Sequence, residues 1–343
     1  MQLPLTLKGA PGSPYTRKML AVLRYRRLPY VLLLPNAPQL KDLPTPKVEL
    51  LPTFYLEGAG GALEAVTDST PLIRRFETAF PERRVRPADP VVAFLDSLLE
   101  DYADEWLTKA MFHYRWHYAD DIAKSATILP RWRGITVSEA RAAELGETFA
   151  KRQIGRLAYV GSSPLTAPVI EASYVRFLAA LNEHLANAPF LMGARPGASD
   201  FAAYGQLTQL AHFDPTPTAL TLARAPRVAA WVAIIDDLSG HAPEDSQWLT
   251  REAIPPTLIA LLRELGRTYV PVMLANARAL KGGAARVECS VEGLPWVQNP
   301  FPYQAKCLAW LREEFKALDA KDAAALRGIL EGTGCDALID AAI

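Results

Sequence analysis

The stretch Gly12–Ser13–Pro14–Tyr15–Thr16–Arg17–Lys18 joins a short apolar run, residues 3–8, to a segment with Met19, Leu20, Val22 and Leu23 at helical spacing. Ser at the N-cap and Pro at the first helical position start a helix. The chain therefore passes from strand, through the turn Gly9–Ala10–Pro11–Gly12, into a helix over 14–27. Pro29 ends that helix, and 30–34 reads as a buried strand. Residues 35–47 form a Pro-rich loop, and 53–56 a third strand. Gly58, Gly60 and Gly61 mark a hairpin turn before a fourth strand over 62–66. A helix over 69–80 follows, with Leu72, Ile73 and Phe76 on one face. The order β-α-β-β-β-α is a small α/β layer over residues 1–80.

Beyond it the pattern changes. Residues 81–90, PERRVRPADP, read as a linker of three prolines and three arginines. Leu95, Leu98, Leu99, Tyr102, Trp106, Ala110 and His113 then recur at three- to four-residue steps, one stripe on a long helix. Further helices fit 138–158, 167–187, 199–213 and 226–238, an all-α unit over 91–240. The remainder, 241–343, reads as a mostly helical extension: one or two helices over 255–281, a hairpin around Gly293, and helices over 302–318 and 322–332.

Composition narrows the function classes. The 343 residues are 50% hydrophobic and 22% charged, which is a folded composition. Lys+Arg and Asp+Glu are 37 each, so no whole-chain basic field draws the protein to nucleic acid or an anionic membrane. Residues 1–80 hold 10 basic and 6 acidic side chains, a mild excess suited to a small anion. No apolar run approaches the ~20 residues of a membrane span, and the start, MQLPLTLKG, lacks a charged leader region. Cys289, Cys307 and Cys335 are too few for a disulfide framework. We expect a cytoplasmic protein without a metal site.

Three turns carry candidate chemistry. Ser13 presents a hydroxyl at the positive end of a helix, where it either caps the helix or also steadies a thiolate. A hydrogen bond to a charged group is worth ~1.5–3 kcal/mol, or roughly 1–2 pKa units on a bound thiol. In Leu51–Pro52–Thr53–Phe54, a proline opens a strand. A cis bond there would turn the Leu51 N–H and C=O toward an extended ligand, and the alternative is an ordinary trans proline. Thr67–Asp68–Ser69–Thr70–Pro71 opens the next helix and suits either capping or a bound carboxylate.

These three motifs, in this order, resemble the glutathione S-transferase superfamily over about residues 1–240. The resemblance implies a thioredoxin-like glutathione-binding domain followed by an all-α C-terminal domain. Gly197–Ala198–Ser199–Asp200 looks like the family's capping box with Gly where Ser or Thr is usual, so the box should be half formed. Carried over by position, Ser13 would hydrogen-bond the glutathione sulfur, and the backbone of Leu51 before Pro52 would pair with the cysteinyl unit. Asp68 and Ser69 would hold the γ-glutamyl end. The co-substrate implied is a small hydrophobic electrophile, and the assembly a homodimer. Ser at position 13, where a Cys would be needed, argues against thiol-disulfide exchange.

Met111–Phe112–His113–Tyr114–Arg115–Trp116–His117–Tyr118 falls on the helix expected to border the cleft. Tyr15, His113, Tyr114, Trp116 and His117 are the candidate electrophile pocket, against ordinary interdomain packing. His113 and His117, at i and i+4, have no evident third metal ligand. Glu100, Asp101, Asp104 and Glu105 read as a solvated acidic face. Trp296 to Trp310 reads as packing of the extension onto the body, with Cys307 buried and inert. A conjugating enzyme and a non-catalytic binding or assembly module on the same fold are the two leading functional readings, and the missing Cys disfavours a third, a glutathione peroxidase-like or reductase activity.

Overall fold

A computed structural model describes residues 1–58 and 60–340. The first layer holds β1 (Leu5–Lys8), α1 (Pro14–Tyr25), β2 (Tyr30–Leu33), β3 (Thr53–Glu57), β4 (Leu63–Val66) and α2 (Ser69–Ala79). The sheet order is β2-β1-β3-β4. β1 runs parallel to β2 and antiparallel to β3, which pairs antiparallel with β4. This is the thioredoxin-like arrangement expected. One detail differs: β2 is the edge strand, and Val31 on it is 42% exposed, so its apolar run is not buried throughout.

The helical part holds α3 (Pro90–Tyr102), α4 (Thr108–His117), α5 (Ala119–Ile128), α6 (Glu139–Ile154), α7 (Ala167–His184), α8 (Ala198–Leu210), α9 (Pro215–Arg224) and α10 (Pro226–Ile235). α3 and α4 are one rod interrupted by a π-helical turn, Ala103–Leu107. The apolar stripe read from the sequence runs along this rod, with Leu95, Leu98, Tyr102, Trp106 and Ala110 all at 1% exposure or less. The extension adds α11 (Pro256–Arg267), α12 (Tyr269–Gly282), the hairpin β5 (Val287–Val291) and β6 (Leu294–Gln298), α13 (Pro302–Lys316), α14 (Ala320–Leu330) and α15 (Asp336–Asp340). Among the described residues no single helix is long and apolar enough to cross a membrane.

α8 is buried along its whole length and backs the first layer. Gly205 allows this: a Cβ there would lie 2.5 Å from the Pro14 carbonyl oxygen, so only glycine lets α8 approach the start of α1. The N-terminus of α8 also explains Gly197. The Asp200 carboxylate accepts the Gly197 N–H at 2.8 Å, which is the expected half of the capping box. Asp96 of α3 supplies the other half, accepting from the Ala198 and Ser199 N–H groups and from the Ser199 hydroxyl at 2.6 Å. A side chain at position 197 would collide with that carboxylate, since its Cβ would lie 2.3 Å from Asp96 Oδ1.

Candidate active site

Ser13 is the N-cap of α1. Its Oγ accepts the Thr16 N–H at 3.2 Å and donates to the Leu51 carbonyl oxygen at 3.2 Å. The Leu51–Pro52 bond is cis, and the Lys8–Thr53 register sets it beside the end of β1. The first two motifs of the sequence thus meet at one point.

A cleft of about 470 Å³ opens from that point toward the helical part. Ser13 and Leu51 lie on one wall, and Met111, Phe112, Trp116 and Phe149 on the other. Trp116 and Phe149 meet edge to face, with ring centroids 5.8 Å apart. Arg115 ties the two walls together. It holds the buried Asp214 through Nε and Nη2, at 3.0 and 2.9 Å, and Gln209 at 2.7 Å. Its Nη1 donates to the Gly12 carbonyl oxygen at 3.1 Å.

Of the five residues expected in the electrophile pocket, Trp116 lines the cleft. Helical period separates the other three on α4. Met111, Phe112, Arg115 and Trp116 share the cleft face of α4, while His113, Tyr114 and His117 fall on the opposite face. His113 is fully buried, its Nδ1 2.8 Å from Ser162 Oγ and its Nε2 3.0 Å from Glu171. His117 stacks on it at 4.6 Å, and Tyr114 packs on Tyr118 and Tyr174. The Tyr15 hydroxyl donates to the Asp104 carbonyl oxygen at 2.8 Å. Among the described residues no group of three or more His, Cys, Asp or Glu is placed to hold a metal ion.

Asp68 and Ser69 do not line that cleft. Asp68 precedes α2 with φ +84°, and its carboxylate lies near Tyr303 and Lys306 of α13. Burial raises its pKa, and those two residues offset part of the rise. Ser69 is 6% exposed and accepts from Lys18 Nζ at 3.1 Å. Lys18, which the sequence reading missed, is wholly buried and also donates to Glu100 at 2.8 Å and Asp104 at 2.6 Å. Burial pulls its pKa down, but the two carboxylates outweigh that and hold it above its ordinary value. Its place on the cap-proximal turn of a helix full of apolar residues was the only sequence signal.

The acidic run is not the solvated face expected of it. Glu100, Asp104 and Glu105 are 1%, 7% and 6% exposed. Lys18 and Thr70 cover Glu100 and Asp104, and the extension covers the rest: Tyr269 donates to Asp101, with Cys307 beside Asp101 and Gln304 beside Glu105. Lys109, in the same seam, donates to Val160 O and Gln298 Oε1, both at 3.2 Å, and lies 5.6 Å over the Trp296 ring. Burial, with the neighbouring acids, pushes Asp101 up to about 7 and Glu105 to about 8. Burial lowers Lys109 to about 8. Burial and the same acids also raise the Cys307 thiol, and burial raises Cys289 to about 11, so neither is a thiolate at neutral pH.

Residues 7–84 match the family model of the glutathione S-transferase N-terminal domain, and residues 139–233 that of its C-terminal domain. The chain belongs to the glutathione S-transferase family. No curated protein matches it. Among solved structures, this glutathione S-transferase-family chain is similar to a GST-like protein from Pseudomonas syringae. They are 17% identical over 67% of this chain and 66% of that one, TM-score 0.41. It is similar also to a beta-etherase from Sphingobium sp. strain SYK-6, 18% identical over 68% of this chain and 95% of that one, TM-score 0.47. A third is a glutathione S-transferase from Methylobacterium radiotolerans in complex with glutathione sulfonate. It is 19% identical over 72% of this chain and 97% of that one, TM-score 0.38.

Proposed function

We propose that the chain is a glutathione-dependent transferase in which the bound thiolate attacks a small hydrophobic electrophile. The observation that carries the reading is Ser13. Its hydroxyl caps α1, meets the Leu51 carbonyl at 3.2 Å and opens onto an aromatic-walled cleft. The hydroxyl has one proton, which Leu51 O accepts here. A thiolate at the helix end competes for that proton and gains the field of the free N–H groups as well. The thiol proton leaves to solvent, sulfur forms the bond to carbon, and the leaving group departs with its electron pair. The Leu51 backbone, ahead of Pro52, pairs with the cysteinyl unit, and Asp68 and Ser69 take the γ-glutamyl end. A cytoplasmic homodimer completes the reading. Calorimetric titration with glutathione tests binding. With a panel of aryl halides and ethers, Ser13→Ala then lowers turnover at saturating glutathione by about tenfold. Unchanged turnover removes Ser13 from the mechanism.

A second reading, a binding or assembly module without chemistry, is favoured by one observation. Asp68 and Ser69 are already engaged, by Tyr303 of the extension and by Lys18. Absence of glutathione binding in the same titration selects that reading.

A further inference from the structure

The cleft beside Ser13 is lined by Lys8, Arg115, Arg133, Arg152 and Arg156, against a single acid, Glu49. In a chain of net charge zero this is a local concentration of positive charge. Arg115 is spent on Asp214. The others are not: among the described residues, Lys8, Arg133 and Arg152 form no side-chain hydrogen bond or ion pair, and Arg156 only a 3.5 Å contact to Gln153. Neighbouring arginines outside the cleft behave differently, Arg131 pairing with Glu139 and Arg141 with Glu144. Unpaired guanidinium groups around a concave, partly apolar wall focus field into it and match planar anions such as carboxylate, sulfonate or phosphate. Ring partners stand among them. Phe149 and Arg152 are i and i+3 on α6, Trp116 meets Phe149, and Trp132 lies 4.8 Å from Phe213 at the cleft edge.

We infer that the electrophile taken by this cleft is an aromatic anion, its ring against Trp116, Trp132 and Phe149 and its acidic group held by Arg133, Arg152 and Arg156. The inference rests on the transferase reading for the word electrophile, and on the cleft alone for the ligand class. Arginines on the helical wall, across from Ser13 and Leu51, serve the second substrate and not the tripeptide.

The test uses the full chain and two fluorescent probes of one ring system, anilinonaphthalene sulfonate and uncharged phenylnaphthylamine. At low ionic strength the sulfonate binds about tenfold more tightly than the neutral probe, and added salt erodes the ratio. In a chain carrying Arg152→Gln and Arg156→Gln, both exposed positions, the ratio falls toward one. A ratio near one in the unaltered chain, or an unchanged ratio in the double variant, overturns the inference. Calorimetric titration of both chains with glutathione separates the two sources of negative charge. If the double substitution weakens glutathione while the probe ratio stays, the arginines hold the tripeptide's carboxylate and the inference fails. If the unaltered chain binds no glutathione but the probe ratio collapses in the variant, the transferase reading falls and the anion site stands.

Discussion

Two side chains near the start of α1 carry opposite duties. Ser13 faces the cleft, and Lys18, five residues on, is buried beneath it in contact with Ser69, Glu100 and Asp104. Lys18→Met keeps the volume and removes the charge, leaving Asp104 without its cation and Glu100 with only Arg74 at 3.8 Å. It costs about 3–5 kcal/mol, measured as the shift in urea midpoint at unchanged slope; a loss below about 1 kcal/mol contradicts this account. Ser13 was legible from its N-cap and proline signature, and its neighbour Leu51 from the proline after it. Lys18 was not, because a lysine looks the same in sequence whether it reaches water or a buried acid. Arg115 was hidden likewise, among aromatics that drew attention to His113 and His117.

The rod α3–α4 shows how an element's two faces differ in legibility. Its apolar stripe was plain at helical period. Its acidic face, Glu100 to Glu105, carries the same residue types whether solvent or protein covers it, and only the fold shows which. The cleft face of α4 could have been separated from the His113 face by period alone, since residues 111, 112, 115 and 116 share a side. Coverage of the acids sets a pH dependence. Asp101 and Glu105, at about 7 and 8 in the folded chain, sit well above the ordinary carboxylate range near 4. The folded state holds their protons where the unfolded state has lost them, so stability falls as pH rises from about 4 to about 8. Lys109, lowered to about 8, reverses the sign only above that point. Hydrogen exchange of the α13 amides, corrected for intrinsic rate, is therefore faster at pH 8 than at pH 6. Equal protection contradicts the seam's role.

At the scale of the molecule, the extension is part of the core. Trp296 of β6 is fully buried against Trp106 of the π-helical turn, centroids 5.2 Å apart. Arg86 and Ser97 both hold Glu314 of α13. Arg251 joins Asp89 at the start of α3 to Asp322 of α14. Trp296→Ala costs about 3–5 kcal/mol, and it unfolds the whole chain in one transition rather than freeing a tail. Two separate calorimetric transitions contradict that picture. The thioredoxin-like layer and the helical part were readable because each has its own period and punctuation. The docking of residues 241–340 was not, since it depends on long-range pairs such as Tyr269–Asp101 that no local pattern announces. The central claim remains the thiolate at the helix end. Ultraviolet titration of bound glutathione against pH measures it most directly. The account predicts a bound thiol about 1–2 pKa units below the free one, reverting toward the free value in Ser13→Ala. A bound thiol that titrates alike in both chains would contradict it.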